Sequence, residues 1–75
     1  MKKTITRGGE TLVLYGGYAT WTDKRGRLHS KEVRVYGPLT WDPAYYGDGS
    51  SIVEAVEKKA RVRQPQAECR EVWRY

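Results

Sequence analysis

Two stretches of alternating apolar and polar residues dominate the first half of the chain. Residues 10–22 and 27–36 are rich in β-branched and aromatic side chains, which is typical of β-strands. Between them, residues 23–26 read Asp-Lys-Arg-Gly, a turn-forming residue first and a glycine suited to a left-handed conformation last. This pattern predicts an antiparallel hairpin. Residues 4–7 add a short edge strand, separated from the hairpin by Gly8 and Gly9.

The turn also predicts how the two strands pair. A loop of about four residues places Thr22 opposite Arg27, and counting back puts Leu14 opposite Val35. One face of the hairpin is then aliphatic, with Leu12, Leu14, Val33 and Val35. The other face carries aromatic and basic side chains beside a valine: Val13, Tyr15, Trp21, Arg34 and Tyr36. A shift of one residue would exchange the faces, so this assignment depends on the register.

A helix is predicted over residues 51–62. Its apolar residues recur at helical spacing: Ile52, Val53, Ala55, Val56 and Ala60. Ser51 and Glu54 have the spacing of a capping box, and Pro65 ends the helix. Residues 67–75 then form the last strand.

These elements predict a single small α+β domain over residues 1–75. A mainly antiparallel sheet of three to four strands is covered on one face by one helix, in the order β-β-(β)-α-β. We expect the aliphatic face of the hairpin to lie under the helix, where Gly16 and Gly17 allow a close approach. The aromatic and basic face is then left exposed.

Composition and charge narrow the class of protein. The 75 residues include 14 Lys and Arg against 9 Asp and Glu, for a formal net charge of +5. No stretch approaches the roughly 18 apolar residues of a transmembrane helix, and none has the apolar core of a signal peptide. We therefore expect a cytoplasmic protein with no membrane partner. Cys69 is the single cysteine, so an intramolecular disulfide and a cysteine-based zinc site are not expected.

Catalytic chemistry is not indicated by the sequence. His29 is the single histidine, and the side chain of its neighbour Ser30 points to the opposite face of the strand, which argues against a relay. Asp42 and Asp48 precede a proline and a glycine and are more typical of turn starts than of an acid-base pair. The glycines match neither phosphate-binding pattern. We predict a protein that is not an enzyme, with no cofactor and no metal site.

The exposed face allows several interpretations. Rings that stack on bases, beside cations that neutralise phosphates, are how sheets bind single-stranded nucleic acid. The same rings suit a protein partner or a homodimer, and cross-strand pairs of rings and Arg also stabilise a sheet without a partner. In the acidic loop 37–49, Trp41, Tyr45 and Tyr46 either cap the core or contact a protein.

In size and layout the chain resembles the small phage-encoded anti-CRISPR proteins that act on type I systems. The matching segments are the hairpin 10–36, the helix 51–62 and the closing segment 68–75, Glu-Cys-Arg-Glu-Val-Trp-Arg-Tyr. The resemblance implies a stoichiometric inhibitor that binds the crRNA-guided surveillance complex or its nuclease and blocks target-DNA binding or nuclease recruitment. The charge of +5 differs from that of the acidic, DNA-mimicking members. It implies docking on an acidic protein surface or on exposed guide RNA.

The sequence thus predicts a non-enzymatic binding protein whose partner is a protein or ribonucleoprotein complex, with a CRISPR effector as the partner that the resemblance implies. The alternative is a small basic protein that binds single-stranded nucleic acid through an aromatic and basic sheet face. The cations expected to supply electrostatic attraction are Lys24, Arg25, Arg27 and Arg34. The rings expected to anchor the partner are Tyr15, Trp21, Tyr36 and Trp41.

Overall fold

The computed structural model describes residues 1–45 and 47–75 and confirms the predicted α+β fold. Four strands form one antiparallel sheet, and one α-helix packs on one of its faces, in the order β-β-β-α-β. A short 3₁₀ helix precedes the α-helix. The elements are β1 (Thr4–Arg7), β2 (Glu10–Thr22), β3 (Leu28–Gly37), the 3₁₀ helix (Leu39–Trp41), α1 (Ser50–Arg61) and β4 (Glu68–Arg74).

The central strand of the sheet is β2, which pairs with each of the others. β3 follows one edge of β2 along most of its length, from Thr22 opposite Leu28 to Val13 opposite Gly37. The other edge is shared, since β1 pairs with the start of β2 and β4 pairs with residues 15–20. In the described part of the chain, β3 therefore forms one outer edge of the sheet.

The hairpin between β2 and β3 has a loop of three residues rather than the predicted four, so the predicted pairing was wrong. The Asp23 amide donates to the Arg27 carbonyl at 2.9 Å, and the Gly26 amide donates to the Asp23 carbonyl at 3.0 Å. Gly26 has a φ of 81°, so a type I turn is followed by a left-handed glycine. Because Asp23 rather than Thr22 pairs with Arg27, the register moves by one residue.

This shift reverses which face of β2 lies under α1. Tyr15 is opposite Val35 and Gly17 is opposite Val33, so Tyr15 and Trp21 share a face with the valines of β3. The buried core consists of Val13, Tyr15, Ala19, Val33, Ile52, Val56, Ala67 and Cys69. The prediction that Val33 and Val35 lie under the helix was right. The same prediction for Leu12 and Leu14 was wrong, because these two side chains are on the sheet face away from the helix.

The helix begins one residue earlier than predicted, at Ser50, and the predicted capping box is not formed. Gly49, with a φ of 83°, precedes the first helical residue. The Asp48 carboxylate accepts the Ser50 amide at 3.0 Å and so satisfies one free donor of the first turn. Ser51 lies inside the helix, because the acidic side chain two residues before the start supplies the cap instead.

The loop between β3 and α1 folds against the core. The ring centroids of Trp41 and Tyr15 are 6.0 Å apart, and the Tyr15 hydroxyl donates to the Pro38 carbonyl at 2.8 Å. Trp41 also covers Gly37, where a Cβ would lie 2.1 Å from the indole. Of the two roles that the sequence allowed for the loop rings, Trp41 shows core capping, whereas Tyr45 is 64% exposed and does not cap the core. Tyr46, for which the same choice was left open, lies outside the described residues.

Candidate functional site

The sheet face opposite α1, here called the open face, carries cross-strand rows of side chains, and three of these rows hold aromatic rings. Side chains alternate between the two faces of a strand, so this face takes every second residue of each strand. Each of these rows contains one residue of β3 and one of β2. The third residue comes from β4 or, in the last row, is Tyr75, which directly follows β4. The rows are Glu32, Tyr18 and Glu71; Arg34, Gly16 and Trp73; and Tyr36, Leu14 and Tyr75.

Two rings lie directly on the backbone of β2 at Gly16. A Cβ at this position would lie 2.7 Å from the Tyr75 ring and 2.8 Å from Trp73 Nε1, so only glycine leaves room for them. The centroid of Trp73 is 4.9 Å from that of Tyr18 and 6.0 Å from that of Tyr75, with the second pair edge to face. The three rings therefore form one continuous contact.

A polar network holds the Tyr75 ring in place, and Trp73 and Tyr18 pack in turn against it. Arg34 Nε donates to Glu32 Oε2 at 2.8 Å and to the Tyr75 hydroxyl at 3.3 Å, and that hydroxyl donates to Glu32. The guanidinium carbon of Arg34 lies 5.4 Å from the centroid of the Tyr75 ring. The hydrogen bond from Tyr75 and then that from Arg34 hold the pKa of the Glu32 carboxyl below its usual value. The charges of Arg34 and Glu32 thus offset each other within the network.

The rings remain accessible from one side. Tyr18 is 42% exposed, and the rings of Trp73 and Tyr75 are half-buried. Tyr36 is also half-buried, and its hydroxyl donates to the Lys2 carbonyl at 2.7 Å. We call Tyr18, Arg34, Tyr36, Trp73 and Tyr75 the open-face cluster. It offers a partner aromatic surface whose geometry is already fixed.

Three of the four ring anchors expected from the sequence lie elsewhere. Tyr15 is 0% exposed, so it cannot contact a partner. Trp21 lies on the helix side of the sheet, where its ring stacks on His29 at 5.6 Å between centroids. Trp41 caps the core. The expectation that Tyr15 and Trp21 share an exposed face with Tyr36 was wrong because the register moves by one residue, whereas Tyr36 does lie in the open-face cluster. Trp41 lies in the loop after β3, and its position follows from the folding of that loop against the core.

Sequence reasoning missed the rings that β2 and β4 contribute to the open-face cluster. Trp73 and Tyr75 are two residues apart in a strand, a spacing that places both on one face. Tyr18 is two residues from Gly16 and therefore shares its face. These spacings were visible in the sequence, but the side of the sheet to which they belong depends on the register.

The cations at the hairpin tip form a separate surface. Lys24, Arg25 and Arg27 are exposed, whereas Arg34 lies in the open-face cluster. Lys24 follows Tyr18 by six residues, or roughly 20 Å of extended chain. The tip and the cluster are therefore distinct regions of the hairpin.

Asp23 organises the hairpin tip. Its carboxylate accepts the amides of Arg25 and Arg27 at 2.8 and 2.9 Å and contacts His29 Nε2 at 2.9 Å. The hydrogen bond with His29, followed by that from the Arg27 amide, lowers the pKa of Asp23. His29 thus has a structural partner and is not simply a solvated strand residue.

The other ionisable residues that the sequence singled out also have structural surroundings. Asp42 is buried, accepts the Ala44 amide at 2.9 Å and pairs with Arg74 at 3.0 Å, which together lower its pKa. Burial raises the pKa of the Cys69 thiol. Among the described residues, no three His, Cys, Asp or Glu side chains are grouped so as to hold a metal ion. No helix in this part of the chain is long and apolar enough to cross a membrane.

Comparison of the chain with models of protein families, with curated proteins and with solved structures gives no significant match. Its function is therefore inferred from the geometry of its surfaces.

Proposed function

We propose that this chain is a non-enzymatic binding protein that docks on a protein or ribonucleoprotein partner through the open-face cluster. The observation that carries the proposal is the grouping of Tyr18, Trp73 and Tyr75 around Arg34 on the uncovered side of the sheet. Tyrosine, tryptophan and arginine are the residues that most often dominate the energy of protein interfaces. Rings already held in place lose little conformational freedom when a partner binds.

The charges around the cluster favour a protein surface over a phosphate backbone. Arg34 is paired with Glu32, and Glu71 lies in the same cross-strand row as Tyr18. A face that binds single-stranded nucleic acid combines rings with an excess of cations. Within the three rows that hold the cluster, two carboxylates accompany one guanidinium, so the nucleic-acid alternative has less support at the cluster than the sequence suggested.

The partner to test first is a type I CRISPR surveillance complex or its nuclease. The resemblance in size and layout to type I anti-CRISPR proteins supports this choice. On this proposal, the bound protein blocks target-DNA binding or nuclease recruitment by obstruction, and it acts in the host cytoplasm if it is phage-encoded. Self-association through the same rings is the competing protein contact.

The proposal predicts that Tyr18→Ala weakens partner binding by about tenfold or more, in the range of interface hot spots. The variant also loses the contact between the Tyr18 and Trp73 rings, so we expect the melting temperature to fall by several degrees while the protein stays folded. Tyr45→Ala is the matched control, because Tyr45 is 64% exposed and lies in the loop before α1. Biolayer interferometry with purified type I complexes and nuclease measures both variants.

Fluorescence anisotropy with labelled single-stranded RNA, single-stranded DNA and duplex DNA provides the competing test. Tight binding that weakens steeply between about 50 and 200 mM salt would identify phosphate as the ligand and overturn the proposal. If the Tyr18 and Tyr45 variants lose partner binding equally, the open-face cluster is not the interface. Sedimentation as a dimer that Tyr18→Ala dissociates would assign the rings to self-association.

A further inference from the structure

A groove runs between the outer edge of β3 and the C-terminal end of α1, on the opposite side of the sheet from the open-face cluster. We call it the edge groove and define it by Trp21, Lys31 and Val33 from the sheet and Lys59, Val62 and Arg63 from the helix and its end. Its volume is about 940 Å³, within the range of roughly 300–1,000 Å³ seen for ligand sites. Val62 is 82% exposed on its wall, so apolar surface is open to a ligand.

The backbone beside the edge groove has hydrogen-bonding groups that point away from the sheet. The Leu14 amide donates to the Lys3 carbonyl on the β1 side, so its partner Tyr36 directs its own backbone groups away from β2. The same alternation directs the amides and carbonyls of Ser30, Glu32 and Arg34 outward. Lys59 Nζ donates to the Arg34 carbonyl at 2.6 Å, which shows that this carbonyl points away from β2. No strand in the described part of the chain pairs with this edge.

The rim of the edge groove is cationic. Lys31, Lys59 and Arg63 border it, and among the described residues none of the three lies within ion-pair distance of a carboxylate. The Glu32 side chain points to the open face, where Arg34 and Tyr75 hold it. The groove thus combines an apolar floor, a positive rim and a row of available backbone groups.

From these three features we infer that the edge groove binds an extended acidic segment of a partner protein, which adds to the sheet as a strand beside β3. The backbone of that segment pairs with Ser30 and Glu32. Its apolar side chains cover Val33 and Val62, and its carboxylates meet the positive rim. This site is separate from the open-face cluster and does not depend on the function proposed for it.

Two other occupants fit the edge groove less well. Single-stranded nucleic acid needs aromatic faces on which bases stack, but the exposed wall at Val62 is aliphatic and Trp21 is already stacked on His29. A second copy paired through β3 would bring identical cationic rims together, and like charges facing each other across a strand pair are destabilising. An acidic peptide has the complementary charge and the backbone groups that this edge requires.

The test uses the full chain and a short capped peptide of sequence Val-Thr-Glu-Thr-Val-Thr-Glu, in which Val and Glu share one face when extended. We expect isothermal titration to detect binding, and amide chemical shifts to move in residues 28–34 and 59–64. The same peptide with Lys in place of Glu should not bind. Two further peptides carry N-methyl groups, one on its odd-numbered and the other on its even-numbered residues. Only one of these two sets of amides faces β3, so one peptide should lose binding and the other should keep it.

Two pairs of variants locate the site. Arg63→Glu should weaken peptide binding about tenfold, whereas Lys58→Glu makes the same change of charge outside the groove and should have little effect. Ser30→Pro removes an outward amide without breaking a bond to β2 and should abolish binding, whereas Ser30→Ala should retain it. If Ser30→Pro does not fold, the N-methylated peptides test the same backbone contact.

Absence of peptide binding at about millimolar concentration would overturn the inference. So would equal binding of both N-methylated versions, because it would show that no strand is added. A single-stranded RNA that shifts the same amides more strongly would assign the groove to nucleic acid. A dimer that Arg63→Glu stabilises would assign the β3 edge to a second copy.

Discussion

Gly16 shows how one residue determines the shape of the open face. It lies at the centre of the open face, and the rings of Trp73 and Tyr75 occupy the space that a side chain would take. Their position over the backbone brings the Tyr75 hydroxyl to Glu32 and Arg34 on the far strand. A glycine inside a strand usually weakens it, so its presence here reflects the close approach of the two rings.

At this scale we predict that Gly16→Ala destabilises the protein by about 1–3 kcal/mol, as overpacking does elsewhere. Alanine has a higher strand propensity than glycine, so propensity alone would make this variant more stable. A loss of stability would therefore show that the new Cβ displaces the rings of Trp73 and Tyr75. Urea unfolding measures the change, and near-ultraviolet circular dichroism should show that the aromatic environment is altered. Thr22→Ala, on the same face of β2 but exposed, is the control. Equal or greater stability of Gly16→Ala would contradict the packing described for Trp73 and Tyr75.

At the scale of the elements, the turn between β2 and β3 sets the register of the sheet. Asp23 binds two amides of the turn, and Gly26 adopts the left-handed conformation that ends a three-residue loop. This loop pairs Asp23 with Arg27 and so fixes the register of all ten residue pairs between β2 and β3. Turn geometry therefore decides which side chains face the helix and which lie on the open face.

We expect Gly26→Ala to lower the free energy of unfolding by about 1–2 kcal/mol, because a Cβ disfavours positive φ. The space around this glycine is empty, so no steric contact contributes to the loss. Gly26→Asn should cost less, since asparagine tolerates the left-handed conformation. Urea titrations of the two variants give the comparison. If alanine and asparagine cost the same, the left-handed conformation is not what this turn requires.

The sequence predicted the extent of the elements better than their pairing. β1, β2, α1 and β4 lie within a residue or so of their predicted positions, because alternation, helical spacing and Pro65 mark them locally. The register was missed because the same Asp-Lys-Arg-Gly segment suits a loop of three or of four residues. The helix cap was missed because Ser51 and Asp48 are both good cap residues.

At the scale of the whole molecule, the two sides of the sheet carry different chemistry. The open face presents rings with Arg34 between Glu32 and Glu71, whereas the edge groove on the helix side has Lys31, Lys59 and Arg63 on its rim. The excess positive charge of the chain is therefore not spread evenly over its surface. The two sides therefore match the two different partners proposed above.

Acid should destabilise the whole molecule. The pKa values of Asp23, Glu32, Asp42 and Asp48 are lowered by hydrogen bonds in the folded state. A carboxyl with a lowered folded pKa stabilises the protein above its unfolded pKa, roughly 4, and this contribution is lost as the pH falls through the folded pKa. We therefore expect a nearly constant melting temperature between about pH 5 and 8 and a decline below that range.

Circular dichroism melts across this pH range check the expectation, with Asp42→Asn as the comparison. The amide oxygen of asparagine can still accept the Ala44 amide but does not titrate in this range. The melting temperature of this variant should be lower at neutral pH and should decline less on acidification. A decline as large as that of the parent protein would show that Asp42 makes no contribution to the acid sensitivity.

The sequence by itself determined the α+β class, the order of the elements and the position of the turn, because these depend on local periodicity and on single turn residues. The tertiary structure decided which face of β2 is covered, and so which rings are available to a partner. Tyr15 became a core residue, and the rings of Tyr18, Trp73 and Tyr75 became part of the open face. The physical reason is the two-residue period of a strand, in which one extra or missing loop residue moves every side chain to the opposite face.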